Sequence, residues 1–397
     1  MKFRCTAVLV FVASLIVLTS CSNSSSSSLS TSTGYLWLTA QGNTTVQAYT
    51  ISTSNGALSL NGSALASGAN PTSILITPKG DAVFVLNGGA GSSGISAFTV
   101  NSDGTLKAAG SAVSAGPTPL GMAINPAGTF LFVSNQGTFA LTQPGSISVF
   151  SVSGTTLAPV AGSPFSTEAN GATVGTGPVS VAVSASGNYL YVANQFANTV
   201  SSFQVSSSGA LTPLSTYPVG ISPSAVFVSI AQGTTVSAGQ YLYVANTGSN
   251  NISAFSICDA ANAFGCSTPN GVLAPISGSP FPAQPGPVAI AMDPTAAFLY
   301  VADEQANEIS QYSWSSGTGV LTPLSPAMIS AGGNPVSLAI RAGISATTTV
   351  AGVDYMYVAN LNGSSLSAYT LNTTTGELNV LGNPVTTPSQ PSAVTVR

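Results

Sequence analysis

The sequence contains no histidine, and only 4% of its 397 residues are charged. Soluble chains usually carry about 25%. The missing imidazole excludes every mechanism that needs a histidine base or a histidine metal ligand. Lys and Arg number six against ten Asp and Glu, for a net charge of −4. Two of the six bases, Lys2 and Arg4, lie in a leader segment, which leaves Lys79, Lys107, Arg341 and Arg397. Four scattered bases cannot form the phosphate-neutralising patch that nucleic acid requires, so no nucleic-acid partner is expected. Disorder is excluded too, because 44% of the residues are hydrophobic and disordered chains are polar and highly charged.

Cysteine is also scarce, with four in the chain. Cys5 and Cys21 belong to the N-terminus. Residues 1–20 read as a bacterial signal peptide, with Lys2 and Arg4 before an apolar stretch from Ala7 to Leu18 that is too short for an ordinary membrane span. It ends in Leu18-Thr19-Ser20-Cys21, which resembles a lipobox and makes Cys21 the expected lipidation site. Residues 21–34 are rich in Ser, Asn and Thr and read as a flexible tether. The expected location is therefore the cell envelope, at the outer membrane or in the periplasm, with a membrane contact through the lipid. Cys258 and Cys266 remain, and an even pair in an exported chain predicts a disulfide, worth about 2–3 kcal/mol for so short a loop.

Against these absences stands a repeat. One phrase recurs seven times, as in Tyr189-Leu-Tyr-Val-Ala-Asn194, Tyr241-Leu-Tyr-Val-Ala-Asn246 and Phe298-Leu-Tyr-Val-Ala-Asp303. Its second aromatic falls at Trp37, Phe84, Phe132, Tyr191, Tyr243, Tyr300 and Tyr357, at spacings of 47 to 59 residues. That period suits a four-stranded propeller blade. Strand A is a Pro-led apolar run, such as Pro178 to Val183. Strand B is the repeated phrase, strand C alternates, as in Thr199 to Val205, and strand D is short and carries proline, as in Gly209 to Leu214. Blades stacked face to face bury both sides of their inner strands, which explains the continuous apolar runs. Proline suits only the outer edge. The chain enters at a strand B (Tyr35) and finishes on a strand A (Pro391 to Val396), so the last strand should complete the first blade. The prediction is an all-β, seven-bladed β-propeller over residues 35–397, with its ring closed by the C-terminal strand. A membrane β-barrel is the alternative, but its strands would alternate throughout.

The Tyr-Val-Ala-Asn phrases resemble the Tyr-Val-Thr-Asn repeat of bacterial surface propellers. The wider unit is similar to the lactonase-type seven-bladed β-propeller family, which includes 6-phosphogluconolactonases and muconate cycloisomerases. The resemblance spans about residues 35–397. It implies a central channel in which catalytic members use histidine, arginine and glutamate. With no histidine here, no catalytic residue is carried over.

Candidate sites follow from the topology. Strand direction alternates, so the B–C and D–A loops share one face, the top, and the A–B and C–D loops share the bottom. Asn87, Asn135, Asn194, Asn246, Asp303 and Asn360 end strand B on the top. They either line the channel mouth as a ligand-binding set or start turns by bonding their own backbone. Asp303, Glu304 and Glu308 concentrate carboxylates that could hold a hard cation or form a solvated turn. Phe139, Phe165 and Phe196, with Glu168, fall on long top loops that suit a protein or glycan partner. Phe165 also recurs in a Gly-Ser-Pro-Phe phrase at Phe281, which suggests repeat packing. No sequence signal calls for a cofactor, and a monomer is expected. The main functional expectation is a lipid-anchored, non-catalytic binding scaffold. The alternative is a divergent lactonase working without histidine.

Overall fold

The computed structural model describes residues 33–88, 94–168, 174–229, 240–259, 266, 268–343 and 353–397. The expected signal peptide, Cys21, most of the Ser-rich tether and most of the A–B loops at 229–240 and 342–354 lie outside the described residues. Among the described residues every regular element is a strand, and the strands form seven separate sheets. Separate sheets exclude the single closed barrel. One blade shows the plan: Pro178–Val183, Tyr189–Asn194, Thr199–Val205 and Leu211–Pro218 pair in that order, all antiparallel. Strand B is buried along its whole length here and in the blades of Ala82–Asn87, Phe298–Asp303 and Asp354–Asn360.

The outer strand departs from expectation. In five sheets it breaks into two short pieces that both pair with strand C, as Leu58–Leu60 and Leu65–Ala66 do against Thr45–Ile51. Each break holds a glycine in the left-handed region: Gly62, Gly110, Gly162, Gly278 or Gly382. The two unbroken outer strands, Leu211–Pro218 and Leu321–Ser330, contain no glycine. Only glycine takes that backbone conformation without a steric penalty, so its presence decides whether the edge bends away from the ladder.

Neighbouring blades are joined at the bottom by aromatics of strand B. The second aromatic donates its ring N–H or hydroxyl to a C–D turn carbonyl of the next blade: Trp37 to Gly104 at 3.0 Å, Tyr191 to Gly271 at 3.1 Å, Tyr243 to Gly319 at 2.6 Å, Tyr300 to Gly376 at 2.6 Å and Tyr357 to Gly56 at 2.8 Å. Burial raises the pKa of the Tyr300 hydroxyl, so it remains a donor at any ordinary pH. The first aromatic lies flat over the same glycine. A Cβ on Gly319, whose φ is +71°, would sit 2.2 Å from Tyr241 Cδ1, whereas a Cβ on Gly317 in the same turn meets nothing within 4 Å. Gly319→Ala should therefore cost about 2 kcal/mol or more, and Gly317→Ala should stay within about 0.5 kcal/mol. Equal denaturation midpoints for the two variants would refute this packing of aromatic on glycine.

The ring closes as expected. Pro391–Val396 pairs antiparallel with Leu36 to Ala40 of strand Gly34–Ala40, in the register Leu36 to Val396 and Leu38 to Val394. The Ser392 hydroxyl also donates to the Pro71 carbonyl of the following blade at 2.7 Å.

Candidate functional site

The six residues that end strand B do not line the channel mouth. Asn87, Asn135, Asn194, Asn246, Asp303 and Asn360 are all fully buried, at 0% exposure. Nor do they chiefly serve their own turns. Each asparagine donates its side-chain amide to a serine hydroxyl on strand C: Asn87 to Ser96 at 3.0 Å, Asn135 to Ser148 at 3.0 Å, Asn194 to Ser201 at 2.8 Å, Asn246 to Ser253 at 2.9 Å and Asn360 to Ser367 at 2.9 Å. A buried amide N–H without a partner would cost about 1–3 kcal/mol, and the recurrent serine accepts it, although Oδ1 of Asn87, Asn194, Asn246 and Asn360 is buried with no partner among the described residues. The serine was legible as a repeated position in strand C, but its role depends on the register between strands. Glycines of the top D–A loops close over this layer: a Cβ on Gly68 would meet Asn87, and one on Gly116, Gly220 or Gly332 would meet Asn135, Asn246 or Asn360.

Asp303 breaks the pattern. Its carboxylate reverses the hydrogen bond and accepts from the Ser310 backbone N–H at 3.0 Å and the Ser310 hydroxyl at 2.7 Å, both through Oδ2. Oδ1 is buried with no hydrogen-bond partner among the described residues. Burial is the main cause that pushes its pKa up to about 7, opposed by the Ser310 hydrogen bonds and assisted by the Glu308 charge. Above it lies the top loop 283–286, where Gln284 replaces the usual glycine. The Gly286 carbonyl accepts from the Glu304 N–H at 2.7 Å, and the Pro285 carbonyl accepts from Ala306 at 3.1 Å. Glu304 and Glu308 are half-buried. Glu304 accepts a hydrogen bond from the Asn334 amide at 2.9 Å, and Glu308 pairs directly across the strands from Asp303. Among the described residues no three of His, Cys, Asp and Glu gather as a metal site, so of the two readings of Asp303, Glu304 and Glu308 the cation cluster is not formed.

On the other side of the top face, the two long loops do come together. Glu168 accepts from the backbone N–H of Gly145 at 2.9 Å and from that of Thr176 at 2.9 and 3.0 Å. Its carboxylate ties one loop to the other and is not offered to a ligand. Phe139 is 56% exposed and meets Phe196 edge to face, with ring centroids 5.7 Å apart. Phe165 is not part of that ledge. It pairs with Ile147 from strand Phe165–Ser166 and packs against the core of its blade, as its recurrence in the repeat suggested. At the bottom, Cys258 and Cys266 are bonded, with Cα atoms 5.8 Å apart. The adjacent Asp259 is buried, accepts from the Ser186 N–H at 3.2 Å and the Gln240 amide at 2.6 Å, and so pins the disulfide loop to the neighbouring blade.

The seven inner strands carry a single ionisable side chain, Arg341, at the bottom end of Pro335–Arg341. Of the four top-face carboxylates, Asp303, Glu304 and Glu308 lie on blade six and Glu168 ties two loops together.

The comparisons agree with the architecture. No curated protein matches the sequence. Solved structures do match: a proposed 6-phosphogluconolactonase of Bacteroides uniformis has a TM-score of 0.71 at 17% identity, over 92% of this chain and all (100%) of that one. A second, from Bacteroides fragilis, has a TM-score of 0.72 at 18% identity, over 93% and 99% of the two chains. The periplasmic gluconolactonase of Pseudomonas aeruginosa has a TM-score of 0.68 at 18% identity, over 92% and 99%. At such identities the likeness concerns the fold. The family model described as lactonase, 7-bladed beta-propeller, matches residues 30–160, 122–230, 169–340 and 237–396, which together span nearly the whole chain. On its sequence as well as its seven sheets, the chain belongs to the lactonase family of seven-bladed β-propellers.

Proposed function

We propose that this protein hydrolyses a lactone on the top face of blade six, with Asp303 as the general base. Membership of the family supplies the reaction class, and Asp303 is the observation that carries the assignment to this chain. A base works best when its pKa lies near the operating pH, and burial pushes this carboxyl up to about 7. Asp303 also departs from the asparagine of five other blades, and departures of this kind from a local rule concentrate at functional positions. In the reaction, water attacks the ring carbonyl carbon while its proton passes to Oδ1 of Asp303. The acyl C–O bond of the ring then breaks, and the proton returns to the departing ring oxygen. Because Asp303 is covered, loop 283–286 must lift for the substrate to reach it.

The test is hydrolysis of glucono-δ-lactone, followed above its spontaneous rate, in the wild type and in Asp303→Asn. Asparagine fits the site in five other blades, so the variant should fold yet lose at least 100-fold in kcat, on the order expected for removing a general base. Full activity in the variant would sink the assignment. A second reading is a binding scaffold, favoured by inner strands without carboxylates and by the exposed Phe139 beside Phe196. A wild type that hydrolyses no lactone would leave that reading in its place.

A further inference from the structure

The acids of the described residues occur on both faces, but the four bases lie at the bottom or on an outer strand, away from the top face. Asp303, Glu304, Glu308 and Glu168 belong to the top loops and strand ends, whereas Lys79 lies in a bottom A–B turn. Arg341 and Arg397 stand at the bottom ends of neighbouring inner strands. Both are engaged there: Arg341 Nε donates to the Arg397 carbonyl at 3.0 Å, and Arg397 Nη1 donates to the Gly80 carbonyl at 2.8 Å. Lys107 sits on the outer strand Leu106–Ala108. An inner strand of six residues spans about 20 Å, whereas charges are screened over about 8 Å at physiological salt. None of these bases can therefore assist a group bound beside Asp303. That site presents three carboxylates within six residues, and its uncharged rim is amide, from Gln284 and the exposed Gln305.

We infer that the lactone taken by this site is electrically neutral, a hydroxylated ring bearing neither phosphate nor carboxylate. This rests on the reading of blade six as a hydrolytic site and names its substrate class. A phosphate ester would bring nearly two negative charges to a carboxylate cluster with no compensating cation, and its encounter would be slowed and its binding weakened. A neutral polyol ring meets no such repulsion and finds amide partners for its hydroxyls.

The experiment compares kcat/KM for glucono-δ-lactone and for its 6-phosphate, at low salt and at about 0.5 M salt, with Asp303→Asn as the blank. The neutral lactone should be preferred by about tenfold or more at low salt. The gap should narrow as salt screens the carboxylates, and it should narrow likewise in a Glu304→Gln, Glu308→Gln double variant. Equal or better use of the phosphate ester overturns the charge assignment while leaving the hydrolytic reading standing. Hydrolysis of neither ester overturns the hydrolytic reading, and this inference falls with it.

Discussion

Deleting residues 391–397 will remove cooperative folding from the whole propeller, at a cost above about 5 kcal/mol, beyond the range of ordinary substitutions. The reason lies in what those residues cover. Pro391–Val396 is the inner strand of the blade whose next strand is Gly34–Ala40. Without it, the inward edge of Leu36 to Ala40 loses its ladder, and the fully buried Leu36, Trp37 and Leu38 lose their cover on that side. Val394 belongs to the core cluster shared with Tyr355 and Tyr357 of the preceding blade, and Ala393 to the one shared with Val83 and Val85 of the following blade. The deletion thus damages two interfaces as well as one sheet. Since each blade is covered by both neighbours, an opened ring exposes apolar surface on either side of the gap. Ser392→Ala is the contrasting variant. It removes the hydrogen bond to the Pro71 carbonyl but keeps the strand, and should cost about 1–2 kcal/mol. A truncated protein that melts with the sharpness and midpoint of the full chain would disprove closure by this strand.

The second large effect concerns pH. Asp303 titrates at about 7 in the folded protein, against 3.8 for an ordinary aspartate. Between those values the folded protein keeps a proton that the unfolded chain has already released. Stability is therefore highest below about pH 4, falls as the pH rises through the interval to 7, and changes no further from this group above it. The full loss corresponds to about 4 kcal/mol, an upper value because the covering loop can relax. Asp303→Asn removes the titration and should restore the amide-to-serine hydrogen bond of the other blades. The variant and the wild type should unfold at similar urea concentrations near pH 4, and the variant should be the more stable at pH 8 by as much as about 4 kcal/mol. A difference that does not grow with pH would show that the carboxyl is not buried in this way. A stability gain paired with lost hydrolysis would be the trade-off expected of a site that selection holds away from its stability optimum.

Much of this architecture could be read directly from the residues. Seven Pro-led runs, seven aromatic phrases and a chain that enters on strand B and finishes on strand A determine a closed seven-bladed ring, because strand periodicity and turn chemistry are local and here repeated. The proline of the outer strands and the even cysteine pair were legible on the same grounds. The breaks in five outer strands were marked by glycines, although a short apolar piece on each side conceals the interruption.

The site was less legible. The asparagine set stood out as polar residues at the top of the molecule, yet only the tertiary structure decided that they face the serines of strand C, four of them beneath a glycine of the adjoining D–A loop. Phe165 and Phe139 were both candidates, and only the recurrence of Gly-Ser-Pro-Phe hinted at the difference that packing decided: Phe165 is half-buried against its blade, whereas Phe139 is exposed. Asp303 appeared as one acid of a cluster. Its distinction comes from burial beneath loop 283–286 and from the single serine that answers it. Backbone pattern depends on nearest neighbours along the chain, so the sequence by itself determined the blades and their closure. Whether a polar side chain is solvated, satisfied or held at an altered pKa depends on strands and loops brought to it from elsewhere in the chain, and that was decided only when the ring assembled.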